Sequence, residues 1–384
     1  MNDDDLIHVS VEKFQHMKRL MLTVWTKGPC PIVELRLNRA RLYYPSGEPI
    51  EILFDCHIAH ERARRSDSSD PEYTIITITC PITLDVKRDY DLDLPAQSEL
   101  STRSRQLVCR SCDTPFADLS NLEGAYPLPC DHWMEMSELW VCDPSTMSHI
   151  QNPYGLPDRP LDEAALPTRV LIGLRDVIVP AETIVDNRTS SDKDGMMILC
   201  CKCQSNLGSS IPNGFRIWKM AILASDECTD NPRSRVFSFY TDESDAVALI
   251  LQQCHSRSHY LAVVSCDDPN QEDVLCLQIC NWDSFAIDAS YLKTGNCLSL
   301  QRRSPVDPNR FAPVIKVYYR FQPELQPKDA AFVDNAHVER IQLTTAQWKS
   351  VKQSLHRSSH CYPPTQRMIG NMSKGYLHRL SRII

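Results

Sequence analysis

Hydrophobic and polar residues alternate through much of the first hundred positions, in the period-two rhythm of half-buried strands. Ile32-Val33-Glu34-Leu35-Arg36-Leu37 and Tyr73-Thr74-Ile75-Ile76-Thr77-Ile78-Thr79 alternate or are rich in β-branched side chains, which pack well on a pleated surface. Ile50 to Phe54 offers a third strand, after a turn at Pro45-Ser46-Gly47-Glu48-Pro49. The charged stretch from Glu61 to Pro71 predicts an exposed loop. A β-sandwich or half-barrel is expected over residues 1–105.

Residues 106–212 are proline-punctuated and irregular. Pro153 to Pro167 reads as a linker or surface loop, Leu171 to Val179 as a buried strand or short helix, and Asp186 to Gly195 as a polar loop. From Phe215 the pattern mixes helix and strand. Ser244 is placed to cap a helix whose apolar positions Val247, Ile250, Leu251 and Cys254 fall on one face. Residues 260–266, 274–280 and 314–321 read as strands. Thr344-x-x-Gln347 has the form of a capping box, with Trp348, Val351 and Leu355 following at helical spacing. No internal repeat is evident. The fold class expected is α+β, divided into a β-rich domain (1–105), an irregular middle (106–212) and an α+β C-terminal region (213–384).

Length and charge narrow this reading. The 384 residues suffice for two or three domains, and 42% hydrophobic content excludes a disordered chain. No apolar run approaches the roughly 18 residues of a membrane span, and the acidic Asp3-Asp4-Asp5 start is unlike a signal peptide. A soluble intracellular protein, without membrane contact, is the expectation. With 41 basic and 49 acidic side chains the net charge is −8. Residues 340–384 hold eight basic residues and no acidic one, so this segment carries +8 and the rest −16. A basic segment docked on an acidic body is the expected arrangement, with a nucleic-acid or partner-binding tail as the alternative. Direct nucleic-acid binding is not expected of so acidic a chain. Phosphate-binding glycine motifs, GxSxG and HExxH are all missing from a sequence with 11 glycines and 26 prolines, which disfavours a stand-alone metal hydrolase.

Seventeen cysteines carry the candidate chemistry. In a reducing compartment they are buried thiols or metal ligands rather than disulfides. Cys109-x-x-Cys112 and Cys200-x-x-Cys203 are two hooks, each able to present two thiolates to one ion, and four thiolates close a structural zinc site. The 87 residues between the hooks are far more than a compact zinc ribbon uses. Closing a loop of about 100 residues costs roughly 4.7 kcal/mol, whereas structural zinc returns on the order of 10–16 kcal/mol, so an ion can clamp distant segments. A local site of Cys109, Cys112, Cys130 and Cys142, or no site at all, are the alternatives.

The segment from Pro127 to Pro144 is unusual. Asp131 can cap a short helix on which Trp133, Met136 and Trp140 share a face, with Glu135 and Glu138 mostly off it. Cys142 and Asp143 then fall at its end. Such a stripe usually serves a core, with Cys142 an inert filler; the sharper alternative is a projecting thiolate–carboxylate pair offered as ligands to a partner's metal. Cys361 has His360 beside it and His356 and Arg357 nearby, a basic setting that suits a reactive thiol.

These motifs carry a resemblance. Cys109-x-x-Cys112, Pro127-Leu128-Pro129-x-x-x-Trp133-x-Glu135, Leu139-Trp140-x-Cys142, Cys200-x-x-Cys203 with Leu207-Gly208, and Phe215-Arg216-Ile217-Trp218-Lys219 resemble, in that order, the HECT-like ubiquitin-conjugating-enzyme-binding proteins. The resemblance spans about residues 30–384. It implies binding of a ubiquitin-conjugating enzyme and of ubiquitin, and ubiquitin-ligase activity through a HECT-like C-terminal region, with Cys361 as the nominated thioester carrier. It also implies contact with the endonuclease of pre-mRNA cleavage and polyadenylation, through a plug formed by Trp140, Cys142 and Asp143, with Trp133 and Glu135 as further partner-binding residues. Two features depart from the pattern. Asp143 stands where relatives often have histidine, and Ser358-Ser359-His360-Cys361 matches the Leu-Pro-x-x-x-Thr-Cys of two-lobed HECT ligases poorly.

Overall fold

The computed structural model describes residues 6–14, 17–27, 29, 31–43, 49–69, 72–85, 106–122, 124–127, 170–185, 189–191, 196–211, 214–225, 237–238, 240–255, 257–271, 273–294, 297–301, 311–323, 332 and 335–379. Strands dominate, accompanied by α1 (Asp242–His255) and α2 (Thr345–Ser359), so the chain is α+β. It forms two compact units. One comprises Met1–Tyr90 and Gln253–Ile384, the other Asp91–Gln252. No helix among the described residues is long and apolar enough to cross a membrane.

The first unit is built on a twelve-stranded sheet. Its strand Leu6–Phe14 lies antiparallel between Arg19–Thr26, with Val11 opposite Leu22, and Val274–Thr294, with Val9 opposite Ala289. Central placement buries both faces of this strand. Ile7, Val9 and Val11 join Leu20, Leu22, Ile76 and Ile78 in one core. A three-stranded sheet (Ile32–Arg36, Arg39–Tyr43, Ile50–Leu53) closes that core with Ala40, Leu42 and Ile52. Two sheets thus bury their apolar faces against each other, the sandwich principle, although the larger one also recruits C-terminal strands.

Polar side chains on the central strand are buried with partners, as low-dielectric surroundings require. Glu12 accepts hydrogen bonds from Lys316 Nζ (2.7 and 2.9 Å) and Tyr362 Oη (2.7 Å). Lys13 donates to both Asp55 oxygens at 3.1 Å and faces the rings of Phe285 and Phe311.

Several boundaries differ from the sequence expectation. Arg64–Ser69 is a strand paired with Thr74–Asp85, not a loop. Its described side chains are exposed, and a solvated edge strand carries charge without cost to the core. Leu171 to Val179 resolves into a hairpin of Val170–Ile172 and Asp176–Pro180. The strand expected over 274–280 continues to Thr294 through two register irregularities near Asn281.

Both helices form where periodicity places them. In α1, Val247, Ile250, Leu251 and Cys254 are buried. Its start is a reciprocal pair: Thr241 Oγ1 accepts from Ser244 N (3.3 Å), and Ser244 Oγ accepts from Thr241 N (2.7 Å). Thr241 is therefore the cap and Ser244 its partner one turn in, a correction to the expected cap. In α2 the Thr344–Gln347 capping box is complete, and Trp348, Val351 and Leu355 are buried. Trp348 meets Phe321 edge-on at 5.8 Å, and Tyr319 Oη donates to Leu355 O. The basic C-terminal segment is docked: Lys352 pairs with Asp273, Arg367 lies over the Trp25 ring, and Lys374 over that of Tyr362.

Candidate metal centre

The second unit contains a seven-stranded and a three-stranded sheet, and each supplies one cysteine hook. Gln106–Cys109 leads into the first hook and Pro115–Asp118 leaves it. Met197–Cys200 leads into the second and Asn206–Ile211 leaves it. The two turns are built alike. Asp113 N donates to Cys109 O (2.8 Å) and Cys109 N to Thr114 O (2.9 Å). At the other hook Gln204 N donates to Cys200 O and Cys200 N to Ser205 O, both at 2.9 Å. Asp113 and Gln204 sit at positive φ, 56° and 60°, in the left-handed region that closes such tight turns. The hooks are a structural repeat that the sequence reading missed. Its signal is short: Cys-x-x-Cys-Asp-Thr and Cys-x-x-Cys-Gln-Ser.

The four sulfurs converge. Cys109 Sγ lies 3.6 Å from Cys203 Sγ, and Cys112 Sγ 3.6 Å from Cys200 Sγ. All four lie within 4.8 Å of one another, and none is in a disulfide. A tetrahedral zinc with metal–sulfur bonds of about 2.3 Å separates its sulfurs by about 3.8 Å. The cluster fits that size. Each close contact joins one hook to the other, so one ion would staple both sheets. The alternative with Cys130 and Cys142 has those two residues outside the described part of the chain.

Local electrostatics divide the four thiols into two types. Cys109 and Cys200 are buried, and desolvation raises both, Cys109 to about 12. Hydrogen bonding to Thr114 lowers Cys112, and hydrogen bonding to Ser205 lowers Cys203 to about 6. The Thr114 and Ser205 hydroxyls lie 3.2 Å from the respective sulfurs, and Ser205 Oγ donates to Ser111 Oγ across the hooks. Buried sulfurs of this kind are stable as thiolates when a dication neutralises them. Thr114 and Ser205 are thus supporting residues that the search for ligands alone overlooked.

Gly208, two residues into the strand leaving the second hook, explains part of the Leu207-Gly208 motif. A Cβ there would lie 2.0 Å from Arg216 O, on the paired strand Gly214–Trp218. Replacing Gly208 by alanine is expected to lower unit stability by about 1–3 kcal/mol or more through overpacking, read as a reduced midpoint in urea titration.

Cys361 lies elsewhere, in the first unit just past α2. It is 4% exposed and packs with Ala286, Val314, Tyr362 and Tyr376. Its sulfur is 3.4 Å from Tyr376 Oη and 3.5 Å from Arg357 O, while its carbonyl accepts from Trp25 Nε1. His356 and His360 stack on each other on the exposed side. Trp133, Glu135, Trp140, Cys142 and Asp143 lie outside the described residues.

The hooks, the α+β fold and the length of matching chain now define a class. A family model for HECT-like ubiquitin-conjugating-enzyme (E2)-binding proteins matches residues 23–373. The chain belongs to this family. No curated protein and no solved structure matches it.

Proposed function

We propose that the protein recruits a ubiquitin-conjugating enzyme and promotes transfer of ubiquitin from that enzyme's own thioester to a substrate amine, with zinc held by Cys109, Cys112, Cys200 and Cys203. The family match over residues 23–373 carries this reading. In the reaction, a lysine nitrogen attacks the thioester carbonyl and loses a proton. The carbon–sulfur bond breaks, and the thiolate returns to the conjugating enzyme. The role of this chain is to hold donor and acceptor together, which converts an encounter of two reactants into a near-unimolecular step. Zinc, when bound, is structural: four protein ligands leave no open position for a reacting water.

Burial of the Cys361 sulfur supports direct transfer over a resident thioester, because a carrier thiol must meet a bulky thioester. Discharge of a ubiquitin-charged conjugating enzyme, followed with purified full-length protein, tests this. Acceleration is expected, and Cys361→Ala protein is expected to retain it within about twofold, a change of only ~0.4 kcal/mol in barrier. A thiol-sensitive ubiquitin adduct that disappears in Cys361→Ala protein would replace direct transfer by the carrier mechanism.

The Trp133–Asp143 segment we assign to a second partner, the endonuclease of pre-mRNA 3′-end processing, and we propose a nuclear as well as a cytoplasmic location. Thiolate and carboxylate are zinc ligands, so Cys142 and Asp143 suit the metal centre of a zinc-dependent nuclease. Co-purification of that nuclease is expected to be lost in Cys142→Ala protein with zinc content unchanged. Undiminished binding would refute the assignment.

A further inference from the structure

In the first unit, His259 and His337 stand at the same end of two neighbouring parallel strands. Leu261–Cys266 pairs with Val338–Leu343, starting at Leu261 opposite Val338, so the two histidines lie two residues and one residue ahead of that pair. Local bonds fix both. His259 follows Ser258, which has φ 55°, and its N–H donates to Cys254 O (2.8 Å). His337 N–H donates to Asn335 Oδ1 (2.9 Å), and Val338 N–H to Asn335 O. The rings cross at 79° with centroids 5.2 Å apart, and His259 Nε2 faces His337 Nδ1 at 3.3 Å.

Behind His259 stands a buried carboxylate. Glu339 Oε1 is 2.5 Å from His259 Nδ1, and Arg257 Nη1 donates to both Glu339 oxygens at 3.2 and 3.3 Å. A carboxylate acceptor keeps the proton on Nδ1 and leaves the Nε2 lone pair directed at His337. Histidines that bind metals are oriented in this way, by a carboxylate on the ring nitrogen that does not ligate.

We propose that His259 Nε2 and His337 Nδ1 form a second metal site, separate from the four cysteines, for a borderline divalent cation such as Zn²⁺ or Ni²⁺, with Glu339 as the positioning residue. Tetrahedral zinc with bonds of about 2.0–2.1 Å to imidazole separates two nitrogens by about 3.3–3.4 Å, so the spacing of the two nitrogens already matches a shared ion. The rings need only turn their lone pairs from each other towards it. On binding, the proton that His337 Nδ1 otherwise shares with His259 passes through solvent to His337 Nε2, so the ligating ring stays neutral. Two protein donors leave the remaining positions to water, and His337 is exposed. The cation at this site therefore exchanges with solvent, unlike one enclosed by four thiolates. Imidazole donors suit zinc and nickel, whereas magnesium and calcium prefer oxygen.

Full-length protein dialysed free of exchangeable metal, with the cysteine-bound zinc in place, is titrated with NiCl₂ by calorimetry and by metal counting after dialysis to test the proposal. One additional nickel per chain is expected. It is lost in His337→Ala protein, whose exposed side chain can be removed without unfolding, and kept in a His360→Ala control. Glu339→Gln is expected to weaken nickel binding by about 10–100-fold while leaving the cysteine-bound zinc in place. Nickel uptake by His337→Ala protein equal to that of the unaltered protein overturns the site and leaves the pair as a hydrogen-bonded couple.

Discussion

Zinc content is expected to fall from one ion per chain to none, apart from exchangeable metal, when Cys109 is replaced by serine. Cys109 is fully buried and reaches across to Cys203, so its loss opens the tetrahedron at the seam between the hooks. A serine hydroxyl stays protonated at neutral pH and cannot supply the missing negative charge. Structural zinc returns about 10–16 kcal/mol, comparable with the 5–15 kcal/mol that holds an ordinary domain together. Unfolding of the second unit should follow, seen as new protease cleavage within residues 91–252. Cys56→Ser protein is the control, since that cysteine is buried in the first unit's core and is not one of the four clustered thiols. Full zinc retention by Cys109→Ser protein would reject the four-thiolate site, whatever happened to stability.

The second large effect concerns Asp55. Lys13 and Asp55 are 1% and 3% exposed at their side chains, with both carboxylate oxygens accepting from the ammonium. Changing Asp55 to alanine leaves a cation in the core, and removing one partner of a buried pair costs about 3–5 kcal/mol. The rings of Phe285 and Phe311 face the ammonium and offset part of that loss, since cation–π contact contributes about 2 kcal/mol when desolvated. Removing both charges should behave differently. Lys13→Met with Asp55→Leu is expected to recover most of the stability, because apolar replacements of similar volume are often neutral. Urea denaturation of the single and double variants gives the comparison. A single variant as stable as the unaltered protein would show that water reaches Lys13.

Local patterns were the legible part of this chain. The Thr344–Gln347 box and the 3–4 spacing of Trp348, Val351 and Leu355 specify α2 without help from the rest of the molecule, because capping and one-sided burial act within a few turns. The hooks were legible as candidate ligands because two thiols at CxxC spacing can be presented to one ion by a single tight turn. Ser244 was misjudged for a related reason: Thr241, three residues earlier, is an equally good cap, and the reciprocal bond decides between them. Arg64–Ser69 was missed because an edge strand that faces solvent carries no hydrophobic period. His259 and His337, 78 positions apart, have no motif between them, and only the parallel pairing of their strands brings the rings together.

Sequence by itself determined the strand-rich α+β class, both helices, the four candidate thiolates and the motifs of the family, since each follows from residue type at short spacing. Tertiary structure decided which hook meets which, that the first strand pairs with one almost 280 residues later, and that Cys361 is enclosed rather than presented. The physical reason is the same in all three. Long-range pairing is selected by how apolar faces and buried polar groups complement each other across the whole unit, and that complementarity has no period along the chain.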